Sequence, residues 1–254
     1  MQLFYNPNID ENTESFSFDK EESKHIIKVL RKKDTDILFV TNGLGLSLKT
    51  EITLASDNKC TVKILAAEQA ETSKYHLHLA VAPTKMNDRY EWFLEKATEI
   101  GVHEITPIIC DRSERKAVNR ERFEKILLTA MKQSNVCFLP KLNEAITFKE
   151  FIKHKNDGLQ LIAHCEETNK KSLKYVLKAN ENVTLLIGPE GDFSEKEIAL
   201  AVENNFVAVS LGNTRLRTET AAIVGCHSVV FLNESPLTPA RATANWRSKG
   251  GITE

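Results

Sequence analysis

Apolar and polar residues alternate with two different periods along this chain. Over roughly the first 70 residues the period is mostly two. Leu3-Phe4-Tyr5 is a short apolar run. Asp36-Ile37-Leu38-Phe39-Val40-Thr41 leads to Asn42-Gly43, and the alternating Leu46-Ser47-Leu48-Lys49-Thr50-Glu51-Ile52 follows. An Asn-Gly pair between two such runs predicts a β-hairpin. Residues 60–65 supply a further strand. One helix interrupts the strands: Asp19-x-x-Glu22 is a capping-box-like start, and the helix is expected to reach about Leu30, with His25, Ile26, Val29 and Leu30 partly buried. Short strands around one helix predict a small β-barrel.

From about residue 74 strands alternate with helices. Strands are expected over 76–82, 104–110, 159–164, 183–187 and 207–211. Helices are expected over 88–100 (stopped by Gly101), 120–132, 172–178, 195–204 and 218–232. Repeated βα units predict an α/β fold with a parallel sheet covered on both faces. The polar stretch 68–73 divides the two regions, giving expected units at 1–71 and 72–233. Pro236, Pro239, Gly250 and Gly251, with few apolar neighbours, predict a flexible tail over 234–254.

Composition narrows the class. Of the 254 residues, 41% are hydrophobic and 27% charged, which provides for a real core and excludes a disordered or collagenous chain. No apolar run nears the ~20 residues that span a bilayer, and Met1-Gln2-Leu3-Phe4-Tyr5 lacks leader character, so a cytoplasmic protein without a membrane partner is expected. Cys60, Cys110, Cys137, Cys165 and Cys226 are odd in number, well separated and without ligand spacing. They are expected to be small buried hydrophobes, with no disulfide and no metal.

Charge excludes less than it first suggests. With 34 Lys+Arg against 35 Asp+Glu the chain is not a uniformly cationic binder. Local patches remain. One comprises Lys24, His25, Lys28, Arg31, Lys32 and Lys33. The other comprises Arg112, Arg115, Lys116, Arg120, Arg122, Lys125 and Lys132, interrupted by Glu114, Glu121 and Glu124. By themselves such runs read as solvated faces.

Two strand ends carry candidate chemistry. Leu185-Leu186-Ile187-Gly188-Pro189-Glu190-Gly191-Asp192-Phe193 runs from a buried strand into a tight loop, and Ser194-x-x-Glu197 caps the next helix. Glycines at the carboxyl end of a parallel strand let backbone approach a ligand. The spacing matches neither a dinucleotide nor a triphosphate cradle. An ordinary βα turn explains this segment equally well. Leu211-Gly212-Asn213-Thr214-Arg215-Leu216-Arg217-Thr218-Glu219-Thr220-Ala221-Ala222 then repeats the arrangement, with a cation where the helix dipole gives it no support. Two such loops side by side would make one pocket.

Together these segments resemble the RsmE family of 16S rRNA (uracil-N3) methyltransferases of the SPOUT superfamily. Lys24-His25-Ile26-Ile27-Lys28-Val29-Leu30-Arg31, Lys85-Met86-Asn87-Asp88-Arg89 with Glu91-Trp92, Lys96-Ala97-Thr98-Glu99-Ile100-Gly101-Val102, and Lys132-Gln133-Ser134 match it as well. The likeness runs in order from about residue 3 to about 232.

The resemblance implies a PUA-like N-terminal barrel and a SPOUT-type parallel sheet with a C-terminal trefoil knot. It implies a homodimer that binds S-adenosylmethionine and methylates N3 of a uridine in 16S rRNA of the 30S subunit. A non-catalytic RNA-binding or ribosome-assembly protein that keeps the fold is the alternative. Carried over by motif, the cofactor contacts are Leu186, Gly188, Pro189, Glu190 and Gly191 in the first loop. Those in the second are Leu211, Gly212, Leu216, Arg217 and Thr218. RNA contacts fall to Lys24, His25, Lys28, Arg31, Arg89, Arg112 and Arg115.

Arg217 is the candidate for stabilising charge on the uracil oxygens. Gripping a phosphate, or pairing with Glu190 or Glu219, are its other readings. Glu190 is a candidate base. Two departures stand out: Asp192 replaces a usual glycine, which predicts a looser backbone contact, and Asn135-Val136-Cys137 lacks an expected arginine, which leaves an RNA role for that loop unsupported.

Overall fold

Residues 2–154, 157–166 and 169–234 are described by the computed structural model. The tail expected over 235–254 lies outside them. In the first region β1 (Leu3–Tyr5), β2 (Ser15–Ser17), β3 (Ile37–Thr41), β4 (Leu46–Leu54) and β5 (Thr61–Gln69) form a five-stranded sheet ordered β1-β3-β4-β5-β2. The β4 pattern explains it: Leu46, Leu48, Thr50 and Ile52 are buried and Ser47, Lys49 and Glu51 are not. Each such apolar burial contributes ~1.5–3 kcal/mol. By hydrogen bonding the expected barrel is an open sheet among the described residues. It curls enough that Phe4, Leu38, Leu48 and Val62 share one core.

The first helix is shorter than expected, and two other segments have partners that the local pattern does not show. The helix that Asp19 caps by accepting from the Glu22 N–H is α1 (Lys20–Lys24) alone, and a π-helical turn, His25–Val29, follows it. There the Leu30 N–H reaches back to the His25 carbonyl, and Arg31 stops the helix with φ 55°. Glu68 and Gln69, read as boundary residues, are the end of β5 and pair with Ser47 and Leu46 of the long hairpin. Asn135-Val136-Cys137 is a strap between the regions. After α3 (Arg120–Ser134), the Cys137 carbonyl accepts from the Gly45 N–H (2.9 Å), and the Leu139 N–H donates to the Gly43 carbonyl (2.8 Å). A side chain at Gly45 would collide with the Phe138 ring, so the hairpin tip must be glycine there. Lys132 adds an ion pair to Glu22 at 3.1 Å.

The second region is the predicted α/β unit. Its strands are β6 (Leu77–Val81), β7 (Glu104–Ile109), β8 (Lys141–Leu142), β9 (Ile146–Thr147), β10 (Leu159–Ala163), β11 (Lys171–Ser172), β12 (Val183–Ile187) and β13 (Val207–Ser210). They run parallel in the order β11-β13-β10-β12-β6-β7-β8, with β9 beside β7. The helices are α2 (Asn87–Ile100), α3, α4 (Phe148–Lys153), α5 (Leu173–Val176), α6 (Glu195–Glu203) and α7 (Thr218–Asn233). Of these, α4 was missed despite its Thr147–Glu150 capping box, and the helix expected over 172–178 is the single turn α5.

Central strands β6 and β12 are buried throughout because helices cover both faces. Leu79, Leu185 and Ile187 face α2, α3 and α7 through Phe93, Leu127 and Cys226. Ala80, Ile162 and Leu186 face α4 and α6 through Phe151 and Ile198. From β13 the chain crosses back over β10, and α7 settles against β12, β6 and α2. A side chain at Gly225 would strike Leu185, so glycine sets how closely α7 and β12 approach.

Cys60, Cys110 and Cys226 are buried as expected, but Cys137 is only half-buried and Cys165 is exposed, because it sits in the loop after β10.

Candidate active site

Three loops leave the carboxyl ends of the adjacent strands β13, β10 and β12. In an open parallel sheet that edge is where ligand crevices form. A cavity of about 540 Å³ lies among them, within the ~300–1,000 Å³ common for small-molecule sites. Ala163, His164, Cys165 and Lys170 wall it from the β10 side, Ile187 to Glu190 with Asp192 from β12, and Val209 to Thr218 with Ala221 from β13 and α7.

Specific bonds hold the walls. Thr218 Oγ1 donates to the Gly188 carbonyl at 3.1 Å, joining the β12 loop to the start of α7. Asp192 adopts φ 64°, the left-handed backbone that glycine takes without cost and that Asp tolerates. Its carboxylate is then put to use: Oδ2 accepts from the Cys165 N–H at 2.7 Å and Oδ1 from the Phe193 N–H at 2.8 Å. The departure from glycine therefore ties two cavity walls together. On the outside, Arg112 donates to the carbonyls of Gly191 (3.0 Å) and Phe193 (3.2 Å), and Arg115 to those of Thr84 and Lys85. Ser194 and Glu197 form a full capping box that starts α6.

The structure brings Gly188, Pro189, Glu190, Leu211, Gly212, Leu216, Arg217 and Thr218 to this one cavity. Gly212 holds φ 154° with open space where a side chain would project, as a backbone cradle requires. Leu186 and Gly191 do not line it. Strand alternation turns Leu186 to the opposite face, among Ala80 and Ile162, so Ile187 lines the cavity instead. Gly191 backs onto Arg112. The wall at His164, Cys165 and Lys170 was missed, since the loop after β10 carries no glycine motif, and only the position of its strand beside β12 could have revealed it. The His164 imidazole is held below its ordinary pKa by burial, with Lys170 adding to the effect.

Charge around the cavity is uneven. Arg89, Lys170, Arg215 and Arg217 contribute cations, and Glu190 and Asp192 contribute anions. Among the described residues Arg217 pairs with neither Glu190 nor Glu219. Glu190 accepts instead from the Lys85 N–H at 2.9 Å, and Glu219 faces Arg89 at 3.8 Å. Of the residues assigned to RNA, Arg89 stands at the cavity. Arg112 and Arg115 are half-buried or exposed beside it, with part of each guanidinium committed to loop carbonyls. Lys24, His25, Lys28 and Arg31 belong to the first region. Lys28 pairs with Asp57 at 3.1 Å and His25 with Glu22 at 2.9 Å, while Lys24 and Arg31 are exposed. Among the described residues no cluster of His, Cys, Asp and Glu could hold a metal, and no helix is long and apolar enough to cross a membrane.

Comparison with known proteins agrees across most of the chain. A family described as an RNA methyltransferase domain matches residues 71–230, and one described as an RNA methyltransferase PUA domain matches residues 18–65. The ribosomal RNA small subunit methyltransferase E of Rickettsia conorii is 31% identical over 235 residues, covering 91% of this chain and 95% of its own. A structure described as a probable rRNA-methyltransferase from Porphyromonas gingivalis superposes with a TM-score of 0.85 at 36% identity, covering 92% of this chain and 98% of its own. The ribosomal RNA small subunit methyltransferase E of Neisseria gonorrhoeae, solved bound to S-adenosyl methionine, gives 0.82 at 25% identity, with 92% and 98% covered.

Proposed function

The chain belongs to the ribosomal RNA small subunit methyltransferase E family, and from that premise we propose that it methylates N3 of a uridine in 16S rRNA of the 30S subunit, with S-adenosylmethionine as donor. The observation that carries this reading is the cavity of three strand-end loops with the Arg217 guanidinium at the start of α7, paired among the described residues with neither Glu190 nor Glu219. Its residues fit the cofactor: Gly212 presents backbone to open space, Ile187, Gly188, Val209 and Ala221 offer an apolar floor, and the volume is adequate. When bound, S-adenosylmethionine supplies an electrophilic methyl group on a sulfonium.

The chain's own residues then have three tasks. The loops orient N3 toward that methyl group and exclude water. Arg217 stabilises the negative charge that spreads over O2 and O4 as the imide N–H is lost. The proton at N3 has to be taken up by an acceptor on the cavity wall as the methyl group that bound S-adenosylmethionine would supply takes its place. Glu190, anchored by the Lys85 N–H, lies on the cavity wall as the candidate acceptor.

The finer assignments follow the same reading. The return of the chain past β10 before α7 supports a trefoil knot. Phe231 and Leu232, exposed on a helix that already buries Cys226 and Val229, support a homodimer. Residues 1–71 act as the PUA-like unit and residues 72–233 as the methyltransferase unit of a cytoplasmic enzyme. Lys24, His25, Lys28, Arg31, Arg89, Arg112 and Arg115 contact RNA, so affinity should fall steeply with salt.

The test is incubation of the protein with tritiated S-adenosylmethionine and unmodified 30S subunits or free 16S rRNA, followed by identification of the labelled nucleoside. Label in 3-methyluridine supports the reading. RNA binding with no transfer replaces it with the non-catalytic alternative. Arg217→Lys keeps the charge and loses the planar fork, so near-normal turnover in that variant removes Arg217 from catalysis.

A further inference from the structure

The mechanism above does not use the buried carboxylate of Glu219. Glu219 is the second residue of α7, directly after the cavity residues Arg217 and Thr218, and only 7% of it is exposed. Its Oε2 is buried without a hydrogen-bond partner among the described residues. Its Oε1 lies 3.8 Å from Nε of Arg89, an ion pair too long to be a hydrogen bond. The start of a helix favours a carboxylate, yet that alone does not supply the orphaned oxygen with a donor, and buried acceptors are normally satisfied.

Arg89 stands on the other side of this pair, in the first turn of α2. Its side chain is 39% exposed and lines the cavity. A guanidinium is a planar fork with donors on two edges. One edge is therefore turned to Glu219, and the outer edge is left for an oxygen arriving at the cavity. The pair bridges α2 and α7, which pack against each other.

We infer that Glu219 is a positioning residue: its buried carboxylate aims the Arg89 guanidinium at the cavity mouth, where it grips an oxygen of the RNA. The inference rests on the reading that RNA is the substrate. It predicts a sign that simple electrostatics does not. Glu219→Gln removes a negative charge, which by itself tightens binding to a polyanion. Loss of aim weakens it.

A double-mutant cycle on the full chain decides the matter, with binding to free 16S rRNA and to unmodified 30S subunits measured at fixed salt. E219Q is expected to weaken binding about 5- to 10-fold, R89M by a similar factor, and the pair together no more than R89M alone. Affinity for S-adenosylmethionine is read for E219Q as well: a loss as large as its loss of RNA binding means a collapsed cavity and overturns the inference. Binding by E219Q that equals or exceeds wild type, or a double variant whose losses multiply, overturns the inference. Should E219Q not fold, E219D completes the cycle, and its loss must likewise vanish in the R89M background. Wild-type methyl transfer is measured alongside. Its absence overturns the proposed reaction while the cycle still decides the pair, and a wild type that binds neither RNA overturns both.

Discussion

The two ends of the same parallel sheet carry polar clusters of opposite character. At the amino end His78 Nε2 meets Thr106 Oγ1 at 2.7 Å, and Asn143 donates to Thr106 Oγ1 and to Glu104 Oε1, both at 2.7 Å. Lys141 donates to the same carboxylate at 2.9 Å, and the Leu77 N–H donates to His103 Nδ1 at 3.1 Å. The groups there satisfy one another. At the carboxyl end Arg217 has no ion pair with Glu190 or Glu219, Glu219 keeps an orphaned oxygen, and Gly212 faces open space. A closed network adds stability and specifies one packing. An unclosed one costs stability and holds interactions in reserve for a ligand. The same residue types thus serve the fold at one edge and a function at the other.

The largest expected effect tests the open end. Arg217→Met should lower turnover about 10²- to 10³-fold, the usual loss for one charge-stabilising donor, with the melting temperature within about 2 °C of wild type. A large loss of thermal stability instead would make Arg217 structural and erase the contrast.

The closed end should respond to pH. Burial pushes the His78 imidazole down to about 4, and burial with the neighbouring His76 pushes His103 to about 4 as well. Unfolded imidazoles titrate near 6.5. Between those values the unfolded chain binds protons that the folded one refuses, so this stability is complete above pH 6.5 and drains as pH falls. For His78 the loss approaches about 3 kcal/mol by pH 4. Urea midpoints measured from pH 7 to 4.5 should fall steadily, and His78→Gln should flatten that slope. An unchanged slope in the variant would show that the imidazole is not the sensor.

Smaller effects separate the two ends further. Asp192→Asn keeps the left-handed backbone but cannot accept with both side-chain atoms, so S-adenosylmethionine should bind roughly tenfold more weakly, about 1.4 kcal/mol. Calorimetry reads this directly, and wild-type affinity would deny the Cys165 tie any part in shaping the cavity. Glu104→Gln is the mirror case. Burial raises its carboxyl pKa, but bonds from Asn143 and Lys141 outweigh burial and leave it below the ordinary value. That substitution should cost about 1 kcal/mol of stability in denaturant melts and leave methyl transfer untouched.

How much of this was legible beforehand depends on whether the signal was local. Gly188 and Gly212 announced two cavity walls, because a tight turn imposes residue types over a few positions. The third wall, His164 to Lys170, carries no such type. It joins the cavity only because β10 lies between β12 and β13. Leu186 was misplaced by one residue because strand alternation, and not the motif, decides which side chain faces the ligand.

By itself the sequence determined the periods, the caps, the α/β character of the second region and the pair of glycine loops, since each follows from near-neighbour geometry. The strand order, the strap from Asn135 to Leu139, the second use of Asp192 and the meeting of Arg89 with Glu219 were decided only by the tertiary structure. Their partners lie tens of residues apart along the chain, and a contact of that range follows from packing the whole sheet and its helices, never from a local pattern.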